Sequence, residues 1–485
     1  MNTRLKACVV GGGVIGGGWV ARFLLNGWDV AVFDPDPTAQ RKIGEVLGNA
    51  RNSLPALYDR ALPQEGTLMF HPTLGEAIDG ADWIQESAPE RLSLKHRIHA
   101  EISALAATDA IVGSSTSGFK PSELTEQGAR VIVAHPFNPV YLLPLVELAG
   151  DADACVRAAG HLHDIGMYPL VMRKEIEGHI ADRLLEAVWR ESLWLVKDGI
   201  ATTEEIDEAI RMGFGLRWGQ MGLFETYRIA GGEAGMTHFF EQFGPALKLP
   251  WTKLMDVPEL TPDLVARIVE QSDAQSGHAN IRELERLRDD NLVSMIRELR
   301  KTGSGAGGVI NAHDVRLTHP KRDGLPMTLD RQIPAGWTDY NGHTNEARYL
   351  EAGAAMTDRL LEIIGADAAY VAAGKSYFTA ESHVRFLKET KAGNRLRGLT
   401  QVLATTDKKL HLFHTLFVRD ETPVATVETL LLHVDLKTRR SCPVIEPVTS
   451  VLGGIATEHS RLGWPEAAGR FVGERKRAEK PKVPA

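Results

Sequence analysis

The sequence predicts an α/β multidomain chain: a largely parallel sheet wrapped by helices, then a helical domain, then an α+β domain. Three observations carry this reading. Apolar strand-like runs alternate with helical stretches up to about residue 180, and long amphipathic segments with few strand-like runs dominate from there to about 300. After Leu325 one helical stretch is embedded among long strand-like runs. At roughly 150 residues per domain, 485 residues hold about three domains, each able to bury its own core.

The first apolar run, 7–10, ends in glycines; residues 19–25 follow at helical spacing and a second run spans 29–33, which reads as strand, turn, helix, strand. Further strand candidates lie at 83–84, 110–112, 131–134 and 170–172, alternating with helical stretches such as 94–106, as in a sheet with helices on both faces. Segments 183–196 and 281–299 are amphipathic helices. The glycine-rich stretch 301–308 and the polar residues to 324 read as a domain boundary. Beyond it come a strand, a helix over 345–364, and strands at 381–387, 395–405, 409–419 and 422–436. The expected domains are therefore 1–180, 181–320 and 326–455. A tail follows over 456–485; its end, from Arg470 to Ala485, carries Arg475, Lys476, Arg477, Lys480 and Lys482 and is expected to be solvated and poorly ordered.

Hydrophobic content of 43%, with 24% charged and 7% aromatic residues, is ordinary for a soluble globular chain and excludes wholesale disorder. A net charge of -8 argues against a nucleic-acid partner, which needs a cationic face to displace counterions. Only Cys8, Cys155 and Cys442 are present, so neither a disulfide framework nor a cysteine-rich metal site is supported, and a reducing compartment is expected. Glycines break the N-terminal apolar stretch, and no run reaches the ~18 apolar residues of a membrane span. The expectation is a cytoplasmic protein with no membrane partner and no metal.

Gly11-Gly12-Gly13-Val14-Ile15-Gly16 satisfies G-x-G-x-x-G between a strand and a helix, the context that raises this motif above chance. Gly11 permits the tight turn, Gly13 lets a pyrophosphate approach the backbone, and Gly16 allows close helix packing. The helix N-terminus then supplies partial positive charge to the phosphates. Asp34 ends the second strand, where a carboxylate accepts from ribose hydroxyls and repels a 2'-phosphate. These residues predict a Rossmann domain that binds NAD rather than NADP.

Residues 81–90, Ala-Asp-Trp-Ile-Gln-Glu-Ser-Ala-Pro-Glu, and His135-Pro136-Phe137-Asn138-Pro139 resemble the 3-hydroxyacyl-CoA dehydrogenase family over about the first 310 residues. The resemblance implies that His135 is the acid–base residue and that Glu147, twelve residues later, orients it. Oxidising a secondary alcohol requires a base for the hydroxyl proton, and imidazole titrates near neutrality. A carboxylate fixes its tautomer and stabilises the imidazolium. The same resemblance places Ser115 and Asn138 against the substrate oxygen or the histidine, and Glu90 and Lys95 beside the nicotinamide end. Residues 178–183 read Gly-His-Ile-Ala-Asp-Arg where the family often shows G-F-x-x-N-R, so Asp182 replaces a substrate-contacting Asn and a plain acyl-CoA substrate is put in doubt.

Trp337-Thr338-Asp339-Tyr340-Asn341-Gly342-His343-Thr344-Asn345 resembles the D-x-x-G-H-x-N segment before the central helix of hotdog thioesterases. The resemblance makes Asp339 the nucleophile or general base, with Asn341 and His343 as partners and the helix N-terminus polarising the thioester carbonyl. An Asx turn that only shapes the helix entry is the alternative reading of Asp339.

The order dehydrogenase, then hotdog thioesterase, resembles the bacterial fusions of L-carnitine dehydrogenase with betainyl-CoA thioesterase. That resemblance implies NAD-dependent oxidation of carnitine to 3-dehydrocarnitine, conversion of the product to betainyl-CoA by a separate enzyme, and release of glycine betaine and CoA by the last domain. A homodimer is also expected. A quaternary ammonium donates no hydrogen bond and is read by aromatic faces, carboxylates and shape. Trp218, Phe224 and Tyr227, in the aromatic-rich stretch 213–227, are the candidates, with Phe137 opposite and Glu225 or Asp182 as counter-charge. Core packing of these aromatics is the competing reading. Two other functions remain open at this stage: a 3-hydroxyacyl-CoA dehydrogenase with a general acyl-CoA thioesterase, and a non-catalytic relative whose hotdog only drives dimerisation.

Overall fold

The computed structural model describes residues 4–470 apart from 126–127, 231–232, 234, 246–251, 254–255, 318–320 and 419–421. The basic tail 471–485 lies outside the described residues. The chain divides into two compact units, one of Met1–Leu57 with Gln64–Arg316 and one of Tyr58–Pro63 with Leu317–Ala485.

The first unit opens with β1 (Lys6–Val10), α1 (Val14–Leu25), β2 (Asp29–Phe33), α2 (Ala39–Ser53), β3 (Leu68–Phe70), α3 (Leu74–Ile78), β4 (Trp83–Glu86) and α4 (Leu92–Leu105). It continues with β5 (Ile111–Ser114), α5 (Pro121–Leu124), β6 (Ile132–Pro136), β7 (Leu145–Ala149), α6 (Ala152–Asp164) and β8 (Tyr168–Val171). The strands form one eight-stranded sheet in the order β3-β2-β1-β4-β5-β6-β7-β8. The six strands from β3 to β6 pair in parallel, and the order reverses at β1, so this is the Rossmann arrangement that the glycine motif predicted. β7 runs antiparallel to β6, and β8 is parallel to β7. Sequence pattern missed β3, which has only three residues, and β7, whose apolar run is interrupted by Glu147. The central strands are buried on both faces, as parallel strands covered by helices must be, and Cys8, Ile84, Val112 and Val133 share one cluster.

The rest of the first unit is helical: α7 (Ala181–Lys197), α8 (Thr203–Ala209), α9 (Gly215–Ala230), α10 (Gly235–Phe243), α11 (Pro262–Ser276), α12 (Ile281–Thr302) and α13 (Gly305–Arg316). The glycine-rich stretch 301–308, expected as part of a domain boundary, is structured. Gly303, in the left-handed region at φ 65°, ends α12, and α13 turns back against it. A Cβ on Gly307 would lie 2.2 Å from the Arg300 backbone nitrogen, so these glycines serve a close helix crossing.

The second unit contains β9 (Lys321–Arg322), β10 (Leu325–Gln332), α14 (Glu346–Ile363), α15 (Ala368–Ala372), β11 (Lys375–Phe386), β12 (Arg395–Thr405), β13 (Lys409–Val418), β14 (Thr422–Asp435), β15 (Arg440–Ser441) and α16 (Val448–Ser460). Its antiparallel sheet has the order β11-β14-β13-β12-β10-β9, with β15 on β14. α14 packs on one face through Ala352 and Met356 against Leu396, Leu416 and Val427, as in a hotdog around its central helix. Gly353 permits this approach, since a Cβ there would meet Val427 side-chain atoms at 2.8 Å. α16 covers the same sheet further along with Val448 and Leu452, and the Val402 N–H donates to His459 Nδ1 at 2.9 Å.

Candidate active sites

The glycine loop sits between β1 and α1, and its three motif glycines differ in what a side chain would meet. Gly11 has φ 105°, and a Cβ there would lie 2.6 Å from the Ser87 carbonyl oxygen; at Gly16 it would lie 1.8 Å from the Gly11 oxygen. At Gly13, the N-cap of α1, a Cβ meets nothing within 4 Å. Two glycines therefore serve packing, and the third lies on the open side at the N-terminus of α1. α1 has no acidic residue in its first turn to cap the N–H groups there. Asp34, half-buried at the end of β2, accepts the Gly12 N–H and, at 2.7 Å, the Asp36 N–H. Its carboxylate thus shapes the turn after β2. These residues fit a dinucleotide.

Lys95 is not a solvated helix charge. It is 1% exposed, and its Nζ lies 2.9 Å from Glu86 Oε1 and 3.3 Å from Glu90 Oε2. Glu86 is fully buried, which acts to raise its carboxyl, but hydrogen bonds from His99 and Ser114 and the charge of Lys95 outweigh burial and hold it at about 2. Glu90 also accepts the Gly118 N–H at 3.1 Å and the Thr116 hydroxyl, which fixes the loop after β5.

His135 and Glu147 are direct cross-strand partners in the β6–β7 register. The twelve-residue spacing is thus the geometry of an antiparallel pair. His135 Nδ1 lies 3.0 Å from Glu147 Oε2, while Oε1 accepts the Ile180 and Ala181 N–H groups at 2.9 and 3.0 Å. Those amides open α7, so the glutamate ties the sheet, the base and the first helix of the helical region together. Burial acts to raise the Glu147 carboxyl; the His135 and backbone hydrogen bonds overcome it and hold the group below its ordinary value. A carboxylate can only accept, so the ring proton sits on Nδ1 and Nε2 is left bare to take a proton. Asp182 Oδ2 lies 3.7 Å from Nε2, Phe137 packs its ring edge-on to the imidazole at 4.9 Å, and the His179 ring lies 5.3 Å away. Pattern reading passed over His179, although it lies inside the quoted segment; it is fully buried, donates from Nε2 to the Thr116 carbonyl at 3.0 Å, and has φ 49°.

The other expected residues are placed less directly. Ser115 Oγ is engaged by Gln85 Nε2 at 2.7 Å, Ser87 Oγ at 2.9 Å and Trp19 Nε1 at 3.1 Å, and among the described residues no hydrogen bond joins it to the imidazole. Asn138 is exposed beside Phe137. Trp218 packs on Phe214 and Tyr227 stacks on Phe239, each at 4.5 Å, while Phe224 and Glu225 are exposed. Among the described residues no hydrogen bond or ring contact joins Trp218, Phe224 or Tyr227 to His135.

In the second unit, Asp339 Oδ1 accepts the Asn341 N–H at 2.8 Å and the His343 N–H at 3.3 Å, and Asn345 caps α14 by accepting the Ala347 N–H at 3.0 Å. The half-buried carboxylate therefore closes an Asx turn at the entry to the long helix. His343 Nε2 lies 3.3 Å from Glu389. Arg331 sits 4.0 Å over the Trp337 ring and braces the start of the loop. Among the described residues no group of three or more His, Cys, Asp or Glu is arranged to hold a metal ion, and no helix is long and apolar enough to cross a membrane.

Residues 6–176 match the NAD-binding domain of 3-hydroxyacyl-CoA dehydrogenase, residues 178–262 its C-terminal domain, and residues 333–452 the thioesterase-like superfamily. The L-carnitine dehydrogenase/betainyl-CoA thioesterase of Ruegeria pomeroyi is 60% identical over 484 residues, covering 96% of this chain and 99% of its own. The chain belongs to that two-domain family. The relative of the same name from Agrobacterium fabrum is 56% identical over 90% of this chain and 92% of its own, and the L-carnitine dehydrogenase of Pseudomonas aeruginosa is 52% identical over 63% and 97%. Among solved structures, an NAD+-dependent dismutase, 5-formyl-3-hydroxy-2-methylpyridine 4-carboxylic acid 5-dehydrogenase, superposes with a TM-score of 0.52 at 26% identity, over 61% of this chain and 99% of its own. Family membership makes the first unit an NAD-dependent dehydrogenase and the second a hotdog thioesterase.

Proposed function

We propose that the chain oxidises L-carnitine to 3-dehydrocarnitine with NAD and hydrolyses betainyl-CoA to glycine betaine and CoA. The observation that carries this reading is the near full-length identity to relatives that bear both activities in their names, with the two domain types in the same order. In the dehydrogenase site His135 takes the hydroxyl proton at Nε2, Glu147 orients the ring and stabilises the imidazolium, and Ser115 and Asn138 assist at the substrate oxygen. Bound NAD supplies the hydride acceptor, held by Gly11, Gly13, Val14, Ile15, Gly16 and Asp34, with Glu90 and Lys95 at the nicotinamide end. In the thioesterase site Asp339 attacks the thioester carbonyl or activates water toward it, with Asn341 and His343 beside it. The functional division falls at 1–180, 181–320 and 326–455. The protein works in the cytoplasm as a homodimer.

The test is NADH formation by the purified protein with L-carnitine, D-carnitine and 3-hydroxybutyryl-CoA in parallel, together with CoA release from betainyl-CoA. Turnover confined to 3-hydroxybutyryl-CoA would favour the acyl-CoA alternative, and no NADH with any substrate would favour a non-catalytic relative.

A further inference from the structure

We infer that Asp182 is the specificity-determining carboxylate of the dehydrogenase site, the counter-ion that reads the substrate's cationic end while His135 takes its hydroxyl proton. The inference rests on the carnitine reading above and assigns its charge recognition to one side chain.

Glu147 occupies Nδ1, so the substrate hydroxyl must come to Nε2, the nitrogen that Asp182 faces at 3.7 Å. That distance is too long for a hydrogen bond. Asp182 and Nε2 therefore flank the place where the reacting hydroxyl arrives, rather than binding each other. Asp182 stands in the first turn of α7, yet the Ile180 and Ala181 amides there are taken by Glu147. Among the described residues the Asp182 carboxylate accepts no hydrogen bond, although its side chain is only 22% exposed. A half-buried carboxylate without a donor is unfavourable until a cation meets it. Burial, with the nearby Glu147 charge, pushes its carboxyl above the ordinary aspartate value despite the attraction of His135 and His179. Charge is thus missing opposite it.

A trimethylammonium group carried two bonds from the carbinol carbon supplies that charge. It needs no donor partner, and with its hydroxyl on Nε2 its cation falls within a few ångströms of the same carboxylate. Phe137, edge-on to His135, walls the site from another side. Trp218 and Tyr227 are occupied with Phe214 and Phe239, and Asp182 is, among the described residues, the carboxylate that faces Nε2, the side of the base opposite Glu147.

The experiment compares kcat/KM for L-carnitine with that for 3-hydroxy-5,5-dimethylhexanoate, its isostere with an uncharged tert-butyl group in place of trimethylammonium, in wild type, Asp182→Asn and Asp182→Glu, with thermal unfolding of each. In Asp182→Asn the carnitine-to-isostere ratio should fall by ~10- to 100-fold, mostly through KM for carnitine, and Asp182→Glu should restore part of it. An unchanged ratio, or equal loss on both substrates, overturns the assignment of Asp182 while leaving carnitine as substrate. Wild-type protein that oxidises the isostere but not carnitine overturns the substrate reading itself, and this inference with it.

Discussion

Glu147 reaches two elements at once: Oε2 holds His135 Nδ1 at 3.0 Å, and Oε1 holds the first amides of α7 at 2.9 and 3.0 Å. One carboxylate thus sets the tautomer of the base and anchors the helix that carries Asp182. Replacing it should disturb chemistry and packing together, in separable amounts. Glu147→Gln should lower dehydrogenase kcat by ~10²- to 10⁴-fold. It should also lower stability by about 1 to 3 kcal/mol, because two amides lose a charged acceptor. His135→Ala should match the kinetic loss and also lower the unfolding temperature, because the buried Glu147 carboxylate loses its Nδ1 donor. Steady-state kinetics and thermal melts check both, and a Glu147→Gln enzyme with wild-type kcat would remove the orienting role.

The three motif glycines should respond differently to a methyl group. Gly13→Ala is expected to fold normally, since its Cβ meets nothing within 4 Å, while the KM for NAD rises ~10-fold or more as the methyl stands where the pyrophosphate approaches. Gly16→Ala is expected to lower the unfolding temperature by several degrees as well, since its Cβ would lie 1.8 Å from a carbonyl oxygen. Equal effects on Tm in the two variants would contradict this division of labour.

For the thioesterase, Asp339→Asn preserves an acceptor for the Asn341 and His343 amides and removes the charge, whereas Asp339→Ala removes both. If the carboxylate does chemistry, both variants should lose ~10²-fold or more of betainyl-CoA hydrolysis. If it only shapes the turn, the Asn variant should stay active and only the Ala variant should fail. NADH formation from carnitine should persist in both, because the dehydrogenase residues lie in the other unit.

Stability should fall on mild acidification through two buried histidines. Burial drives His414 down to about 3, and burial together with the Arg22 charge drives His313 down to about 4. His414 sits between Thr400 Oγ1 at 2.8 Å and Thr357 Oγ1 at 3.0 Å, neutral in the folded state. Above ~6.5 both folded and unfolded forms are neutral and stability is flat. Below that value the unfolded chain binds protons that the folded chain refuses, so stability is lost as pH falls, by up to ~1.4 kcal/mol per pH unit for each histidine, until the folded values are reached. Urea unfolding at pH 7 and pH 5 measures the loss in each unit, and His414→Gln should flatten it in the second. A variant with the wild-type pH slope would show that His414 is not its source.

Local rules read from the chain were enough for the strand–glycine loop–helix opening and the long strands of the second unit: strand 395–405 coincides with β12, and Asn345 caps α14 as its place before an apolar helix requires. Those features depend on neighbours in sequence, through turn geometry, alternation and capping. β7 was invisible because Glu147 breaks its apolar run, and the helical structure within the glycine-rich stretch before residue 309 was missed because helix-on-helix contact is not encoded locally. Family motifs named His135 and Glu147; only the antiparallel register made them a pair, and only the fold brought Ile180, Ala181 and Asp182 to the imidazole from about 45 residues away. The same holds for His343 and Glu389. Distances between side chains are set by how strands align and where helices begin in space, which is why residue identity was legible in the sequence and the electrostatics of the sites awaited the tertiary structure.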